Sequence, residues 1–205
     1  MKSFQSSSSE EPMDQLILAN IALHIGIGAA EADYFLSLLE HKTLKRKEVL
    51  LSEGQTCHYI NYVAQGCLRM YTTDDSGREH IQMFAPENWW CTDLLGFHTN
   101  TAATHTIDAL EDTDVLQLSY QNLEKLYLKV PKFERFFRVL FQNGFIMYQN
   151  RITTELALPA DQKYETFKKL YPGLQQRITQ KHIAAYLGIT PVFLSMLRKK
   201  PDGIY

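Results

Sequence analysis

The chain has 205 residues, of which 45% are hydrophobic and 21% are charged, and its formal net charge is −2. These values are ordinary for a soluble globular protein with one large domain or two modest ones. The longest uncharged run, residues 15–30, includes Asn20 and His24 and is too short and too polar to span a bilayer, which excludes an integral membrane protein. Cys57, Cys67 and Cys91 form no CxxC pair, so we expect reduced thiols in a cytoplasmic protein and no disulfide framework.

The charge is distributed unevenly along the chain. From Asp161 onward, eight cations against three carboxylates give +5, which leaves −7 for the first 160 residues. A basic end segment on an acidic body suggests a surface that binds a polyanion. A solvated basic face explains the charge alone equally well.

Residues 1–14 are polar and Ser-rich, and they lack the apolar stretch of a signal peptide. We expect a flexible tail here. From Ile17 to Glu40, apolar residues recur at helical spacing, and Gly26 and Gly28 interrupt them, which predicts two short helices.

The segment that follows changes to short runs of β-branched and aromatic residues, separated by the turn signals SEG, QG and DDSG. Further strand candidates lie around Thr104–Leu110 and Val115–Leu118. This spacing is typical of an antiparallel β-sandwich or roll. We therefore expect residues 15–130 to form a β-roll domain with N-terminal helices.

Residues 131–157 have helical periodicity with two apolar stripes. One stripe steps by four and three residues like a coiled-coil seam, and we predict it to be a dimer interface: Phe133, Phe137, Leu140, Gly144 and Met147. The other stripe comprises Phe141, Phe145, Tyr148 and Ile152. One helix with two apolar faces needs two partners, the β-roll and the same helix of a second subunit. Burial of the whole helix within one subunit is the alternative.

Residues 158–205 predict a helix-turn-helix domain. Thr179 is positioned to cap a first helix, Gly188 to make a tight turn, and Thr190 to cap a second helix that starts at Pro191. The expected buried positions fit two crossing helices: Ile183, Ala184, Leu187, Ile189, Leu194 and Leu197. A generic helical hairpin seldom satisfies all of these requirements.

The segments GCLRMY, FAPENWWCTDLLGF and ALEDT, with YPGLQQRITQKHIAAYLGITPVFLSMLRKK near the end, resemble the Crp/Fnr superfamily of bacterial transcription regulators, and most closely its short Bacteroidetes-type branch. The likeness covers nearly the whole chain after its N-terminal segment. It implies an α+β fold with a jelly-roll, cyclic-nucleotide-binding-like β-roll, a long dimerisation helix and an all-α helix-turn-helix domain. It also implies an effector pocket and a DNA surface.

In cyclic-nucleotide-binding relatives, a glutamate holds the ribose hydroxyl and an arginine neutralises the cyclic phosphate. Alignment on ALEDT places Asp93 at the glutamate and the run Ala103-Thr104-His105 at the Arg-Ser-Ala motif, so the arginine is absent. A buried phosphate without a guanidinium partner is costly, and we predict no tight binding of cyclic AMP or cyclic GMP. The remaining pocket candidates suit a small, partly apolar effector, although aromatic residues here can simply pack the roll: Trp89, Trp90, Asp93, Thr104, His105 and Thr106. Three scattered cysteines do not supply the four ligands of an iron–sulfur cluster, no residue points to haem, and we expect no cofactor.

The resemblance implies that the second helix of the helix-turn-helix lies in the major groove of double-stranded DNA. Relatives carry glutamate and arginine base readers where this chain has Val192 and Met196, which cannot make bidentate hydrogen bonds. The expected DNA-contacting residues are Thr179, Gln180, Lys181, Thr190, Val192, Ser195, Met196, Arg198, Lys199 and Lys200. We therefore expect a homodimer that binds a roughly palindromic site with an altered base code.

Other classes of protein fit the residues less well. The roll histidines His58, His80, His98 and His105 are scattered and do not form the clustered ligand set of a cupin enzyme. The chain has no P-loop and no G-x-S-x-G elbow, so we expect no enzyme. One rival remains open, in which Val192, Phe193 and Met196 form an apolar patch that docks another protein.

Overall fold

The computed structural model describes residues 10–199. Within them, the helices are α1 (Glu10–Ala22), α2 (Ala29–Ser37), α3 (Leu94–Thr99), α4 (Tyr120–Lys129), α5 (Lys132–Ala157), α6 (Ala160–Leu170), α7 (Gln180–Leu187) and α8 (Pro191–Lys199). The strands are β1 (Leu39–Leu44), β2 (Val49–Leu51), β3 (Tyr59–Gln65), β4 (Leu68–Thr73), β5 (Glu79–Ala85), β6 (Trp90–Cys91), β7 (Thr106–Ala109) and β8 (Thr113–Ser119). A single 3-10 turn, Leu174–Gln176, precedes α7. No helix in this range is long and apolar enough to cross a membrane.

The strands form two four-stranded sheets, with the orders β1-β8-β3-β6 and β2-β7-β4-β5. In the first sheet, β8 pairs antiparallel with both β1 and β3, and Leu118 lies opposite Leu39 on one side and Ile60 on the other. The pairing of β3 with β8 shifts between Val63 and Gln65. The predicted α+β fold with an antiparallel β-roll is confirmed.

A glycine closes the end of β3. Gly66 has a φ of 89°, and a Cβ at this position would lie 2.5 Å from the Thr113 side-chain oxygen and 2.6 Å from the Asp112 carbonyl oxygen. Only glycine combines the positive φ with the absence of a side chain. The tight turn between β3 and β4 therefore depends on Gly66.

The chain divides into two compact units. Unit 1 takes in the chain up to Arg69 together with Ala85–Gln142, and unit 2 takes in Met70–Phe84 together with the chain from Asn143 onward. This division differs from the expected boundaries at residues 130 and 157. The beginning of α5 belongs with the roll, and most of the β4–β5 hairpin belongs with the C-terminal helices.

An aromatic core joins the N-terminal helices of unit 1 to the start of α5. The Phe35 and Phe133 rings stack with their centroids 4.9 Å apart, and Trp90 meets Phe137 edge-on at 5.6 Å. Phe133, Phe136 and Phe137 are fully buried. The assignment of Phe133 and Phe137 to a dimer interface was wrong, because a side chain already buried in its own subunit has no surface to offer a partner.

Unit 2 has its own aromatic core, which explains why part of a hairpin belongs to it. Phe84 from β5 packs edge-on against Phe167 of α6 and Tyr171, and Tyr186 of α7 lies 5.4 Å from Phe84. The Phe84 backbone N–H also donates to the Tyr171 hydroxyl at 3.3 Å. Aromatic pairs of this kind add about 0.5–1.5 kcal/mol each to the free energy of area burial.

The predicted tail of residues 1–14 was too long. Helix α1 begins at Glu10, so residues 10–14 are helical, while residues 1–9 lie outside the described range. Pro12 is tolerated because the first turn of a helix has no backbone bond to lose. The predicted pair of N-terminal helices corresponds to α1 and α2.

Candidate nucleic-acid interface and effector pocket

Helices α7 and α8 form a helix-turn-helix whose ends are capped by side chains. The Thr179 hydroxyl accepts a hydrogen bond from the His182 N–H at 3.3 Å, and the Thr190 hydroxyl accepts one from the Phe193 N–H at 3.2 Å. Gly188 has a φ of 67° and ends α7 with a left-handed turn. The threonines satisfy N–H groups that have no partner within the first turn of a helix, as the sequence predicts.

One side of the two helices is buried and holds the angle between them. Ile183, Ala184, Leu187 and Leu194 are buried, whereas Ile189 and Leu197 are half-buried. Four of the six residues that were expected inside are thus fully enclosed. This packing leaves the opposite side of α8 to solvent.

The exposed face of α8 is apolar at its centre. Val192, Phe193 and Met196 are 71%, 40% and 54% exposed. Ser195 is half-buried, and Thr190 and Arg198 are exposed. The two positions where relatives carry polar base readers therefore reach solvent, with aliphatic groups at their tips.

Polar and basic side chains surround this apolar centre. Thr179, Gln180 and Lys181 are exposed at the start of α7, and the Lys181 ammonium lies 4.0 Å from the Glu79 carboxylate. The Lys199 side chain and Lys200 fall outside the described residues. Residues 179–200 contain four cations and no acidic residue. This segment therefore has a formal charge of +4.

A single arginine of α5, which the sequence analysis missed, supports α7. The Arg151 guanidinium lies 3.5 Å from the centre of the Tyr186 ring and also donates to the Tyr186 carbonyl oxygen. It donates to the Ile81 carbonyl oxygen at 3.4 Å as well. Arg151 is the only cation between residues 139 and 157, and this isolated charge was the available signal. Arg151 ties α7 to the second half of α5 within unit 2.

In unit 1, three of the six predicted effector residues come together around one carboxylate. Asp93 caps α3, and one of its oxygens accepts from the Gly96 N–H at 2.8 Å. The other oxygen accepts from the Thr104 N–H at 2.9 Å, from the Thr104 hydroxyl at 3.0 Å and from His105 Nδ1 at 2.7 Å. Asp93 is 1% exposed, so both of its carboxylate oxygens accept hydrogen bonds from groups of the same chain and not from solvent.

These bonds set the ionisation of the carboxyl group. Burial raises the pKa of Asp93, but the hydrogen bonds from Gly96, His105 and Thr104 together outweigh it and hold the pKa below its ordinary value. An ionised carboxylate only accepts hydrogen bonds, so His105 Nδ1 carries the proton that it shares with Asp93. The Asp93 cluster, meaning Asp93, Thr104 and His105, is therefore a closed polar network.

Two of the other three predicted effector residues bond to partners outside the Asp93 cluster. The Trp90 ring nitrogen donates to the Asn20 side-chain oxygen at 3.1 Å, and the Thr106 hydroxyl accepts from the Glu53 N–H at 3.2 Å. Trp89 is half-buried. A cavity of about 590 Å³ does lie in unit 1, but its walls include Cys57, His58, Phe97 and His98. Within the described residues, no three His, Cys, Asp or Glu side chains are grouped to hold a metal ion.

The buried arginine of the roll is also engaged. Arg69 on β4 makes two hydrogen bonds to Asp108 on β7, at 2.7 and 2.8 Å, and both side chains are almost completely enclosed. This bidentate pair satisfies the Asp108 carboxylate. Arg69 is therefore not placed to replace the missing phosphate-binding arginine.

The surface of α5 shows a stripe different from the predicted seam. Leu140, Gly144 and Met147 are half-buried, whereas Phe145, Ile152 and Leu156 are 65%, 58% and 83% exposed. Phe145 and Ile152 belong to the second apolar stripe of the sequence analysis, beside the predicted seam. We call these three residues the α5 stripe.

Part of the chain matches a known domain model, and most of it is similar to a regulatory protein. Residues 41–129 match the cyclic nucleotide-binding domain model. The Anaerobic regulatory protein of Haemophilus influenzae is 25% identical over 194 residues, which cover 88% of this chain and 74% of that protein.

The fold matches solved structures. The structure of FixK2 from Bradyrhizobium japonicum gives a TM-score of 0.70 at 16% identity, with coverage of 81% of this chain and 89% of that chain. A transcriptional regulator assigned to the crp/fnr family, from Eubacterium rectale, gives 0.65 at 18% identity, with coverage of 83% and 82%. The roll, the long helix and the capped helix-turn-helix follow one another in this order, and the chain is similar in fold to this crp/fnr-family regulator.

Proposed function

We propose that this chain is a transcription regulator that binds double-stranded DNA through α7 and α8. The observation that carries the proposal is the capped helix-turn-helix, whose exposed α8 face lies in a segment with four cations and no acidic residue. The regulatory names of its relatives support it and agree with the expectation of a non-enzymatic protein. A protein of this function works where the chromosome is, in the cytoplasm.

The base code of this regulator differs from that of its relatives. Val192 and Met196 are exposed where polar readers stand in better-known members, and each good bidentate pair contributes about 1–3 kcal/mol of base discrimination. Phosphate contacts from Thr179, Lys181 and Arg198 need no such readers. Affinity is therefore retained while the preferred sequence changes.

The roll does not hold a cyclic nucleotide in this proposal. The Asp93 carboxylate already accepts from Gly96, Thr104 and His105, so a ribose hydroxyl would have to displace an internal bond. Arg69, the buried arginine of β4, is paired with Asp108. A cyclic monophosphate does not fit these residues, because its desolvated charge would lack a guanidinium partner. If an effector exists, it is of a different chemical class.

The active form in this proposal is a homodimer joined through the α5 stripe. Three large apolar side chains spaced along one helix are more than a monomer normally exposes together. A two-fold dimer would present two α8 helices to successive major grooves about 34 Å apart, which calls for a roughly palindromic site.

The proposal is tested by fluorescence anisotropy with a randomised duplex pool at several salt concentrations, followed by sequencing of the bound fraction. The expected result is affinity that falls linearly on a log–log salt plot, together with an enriched palindrome. Arg198→Ala should weaken binding to all sequences and flatten the salt slope. The absence of binding at low salt would refute a DNA-binding function.

A second function is favoured by one observation, the 40% exposure of Phe193 beside Val192 and Met196. Such a surface also suits an apolar partner protein. In that case the protein does not bind DNA, and Phe193→Ala abolishes capture of the partner protein. The control Leu23→Ala, which changes an exposed apolar residue just after α1, leaves capture unchanged.

A further inference from the structure

We propose that Val192 and Met196 read thymine C5-methyl groups in the major groove, so that this protein selects T·A pairs by apolar contact where its relatives select by hydrogen bonding. The inference rests on the proposed DNA-binding function and names the chemical group that the α8 face recognises. Most of each side chain is open to solvent, since Val192 is 71% exposed and Met196 is 54% exposed.

The two side chains form one reading surface. They are four residues apart on α8, so they lie on the same face and are separated by about 6 Å along the helix. Neighbouring base pairs are about 3.4 Å apart along a strand. Two methyl contacts within a few consecutive base pairs of each half-site are therefore within reach.

The chemistry of the major-groove edges selects thymine. Guanine presents only acceptors there, cytosine presents an amine and adenine presents an acceptor and an amine, whereas thymine alone adds a methyl group. Valine has no polar side-chain atom, and the methionine thioether is only a weak acceptor. Placed against a polar edge, either residue would remove water from donors and acceptors without replacing the lost hydrogen bonds. Against a methyl group, both residues bury apolar area without this loss.

The surroundings of the patch favour DNA over an apolar protein partner. Thr179, Lys181 and Arg198 are exposed at the two helices, and residues 179–200 contain four cations and no acidic residue, while Glu79 of β5 lies 4.0 Å from Lys181. The nearby Ser195 side chain is half-buried and polar. A hydrophobic centre surrounded by phosphate-binding groups is complementary to a groove whose walls are charged and whose floor carries methyl groups.

The size of the effect follows from the burial of a single methyl group. Removing one such apolar group from a contact weakens binding about fourfold, which corresponds to about 0.8 kcal/mol per buried carbon group. In a palindromic site, loss of the equivalent methyl group from both halves weakens binding about fifteenfold. Substitution of thymine by deoxyuridine makes this change without altering any base-pairing hydrogen bond.

The experiment uses the full chain and the sequences recovered from the randomised pool. Affinity is measured for duplexes in which each enriched thymine is replaced by deoxyuridine, one symmetric pair at a time. The same duplexes are measured with Val192→Ala, with Met196→Ala and with the control Leu128→Ala, which changes an exposed apolar residue of α4.

The expected result is a loss of about fifteenfold at one or two symmetric positions for the wild type and for the control. At one of these positions, Val192→Ala or Met196→Ala should bind thymine and deoxyuridine equally well. Enriched sites whose affinity is unchanged by deoxyuridine would overturn the inference and leave the DNA-binding function intact. Salt-dependent binding without any enriched thymine would do the same, and no binding at low salt would overturn both.

Discussion

Replacement of Phe145 by aspartate tests whether the α5 stripe joins two subunits. Phe145 is 65% exposed, and a phenylalanine of about 200 Å² then leaves about 130 Å² of apolar surface in water. At about 25 cal/mol per Å², covering this surface contributes about 3 kcal/mol per subunit and about 6 kcal/mol per dimer. Area converts incompletely into affinity, but even half of this value changes the dissociation constant by about a hundredfold.

The assay is size-exclusion chromatography with light scattering at micromolar concentration. We expect the wild type to elute as a dimer, and Phe145→Asp and Ile152→Asp to elute as folded monomers because each would bury two unpaired carboxylates at the interface. Leu128→Asp is the matched control, since Leu128 is 86% exposed on α4 and outside the stripe. Circular dichroism checks that the variants remain folded.

The result that would refute this reasoning comes from the seam that the sequence first suggested. Leu140 is half-buried on α5 and belongs to that seam. A dimer that persists in Phe145→Asp and dissociates in Leu140→Asp would return the interface to Leu140, Gly144 and Met147. Persistence of the dimer in both variants would exclude α5 as the interface.

Three further predictions concern unit 1. Asp108→Ala should lower the free energy of unfolding by about 3–5 kcal/mol in urea titrations, because it leaves the buried Arg69 guanidinium without its bidentate carboxylate; an effect below 1 kcal/mol would show that the pair is not buried in solution. The pKa of Asp93 is lowered by folding, so its contribution is complete above the unfolded value of about 3.9 and is lost as the pH falls through the folded pKa. Urea midpoints at pH 7 and pH 3 should therefore fall less on acidification for Asp93→Asn than for the wild type, and an equal fall would contradict this assignment. Gly66→Ala should lower the free energy of unfolding of the roll by more than about 1 kcal/mol, the cost of an ordinary strained turn, because its Cβ would lie 2.5 Å from the Thr113 side-chain oxygen. A melting temperature equal to that of the wild type would rule out this packing.

The helix-turn-helix was predictable from sequence because its signals are local. Thr179, Gly188 and Thr190 each act within one helical turn, and the structure places all three in the expected roles. The β-roll was predictable for a similar reason, since turn residues separate runs with the composition of strands. Local chemistry therefore accounts for most of the fold.

The faces of α5 were not predictable in this way. Helical periodicity identifies two apolar stripes but does not say which neighbour each stripe meets. Phe133 and Phe137 turn inward because Phe35 and Trp90 come from distant segments to cover them. Contacts between residues so far apart in sequence depend on the packing of the whole unit. The same limit applies to Trp90 and Thr106, whose hydrogen-bond partners Asn20 and Glu53 come from distant parts of the sequence.

Polar groups in the roll and apolar groups on α8 point to the same division of function. In the roll, Asp93 and Arg69 have internal partners at hydrogen-bond distance, so a polar ligand would have to break bonds that already exist. On α8, Val192 and Met196 have apolar surface in water, and covering it releases free energy without breaking any bond. A site gains affinity from groups that are unsatisfied before binding. By this criterion, recognition in this protein is concentrated at the helix-turn-helix and the α5 stripe, and the Asp93 cluster serves to hold the roll together.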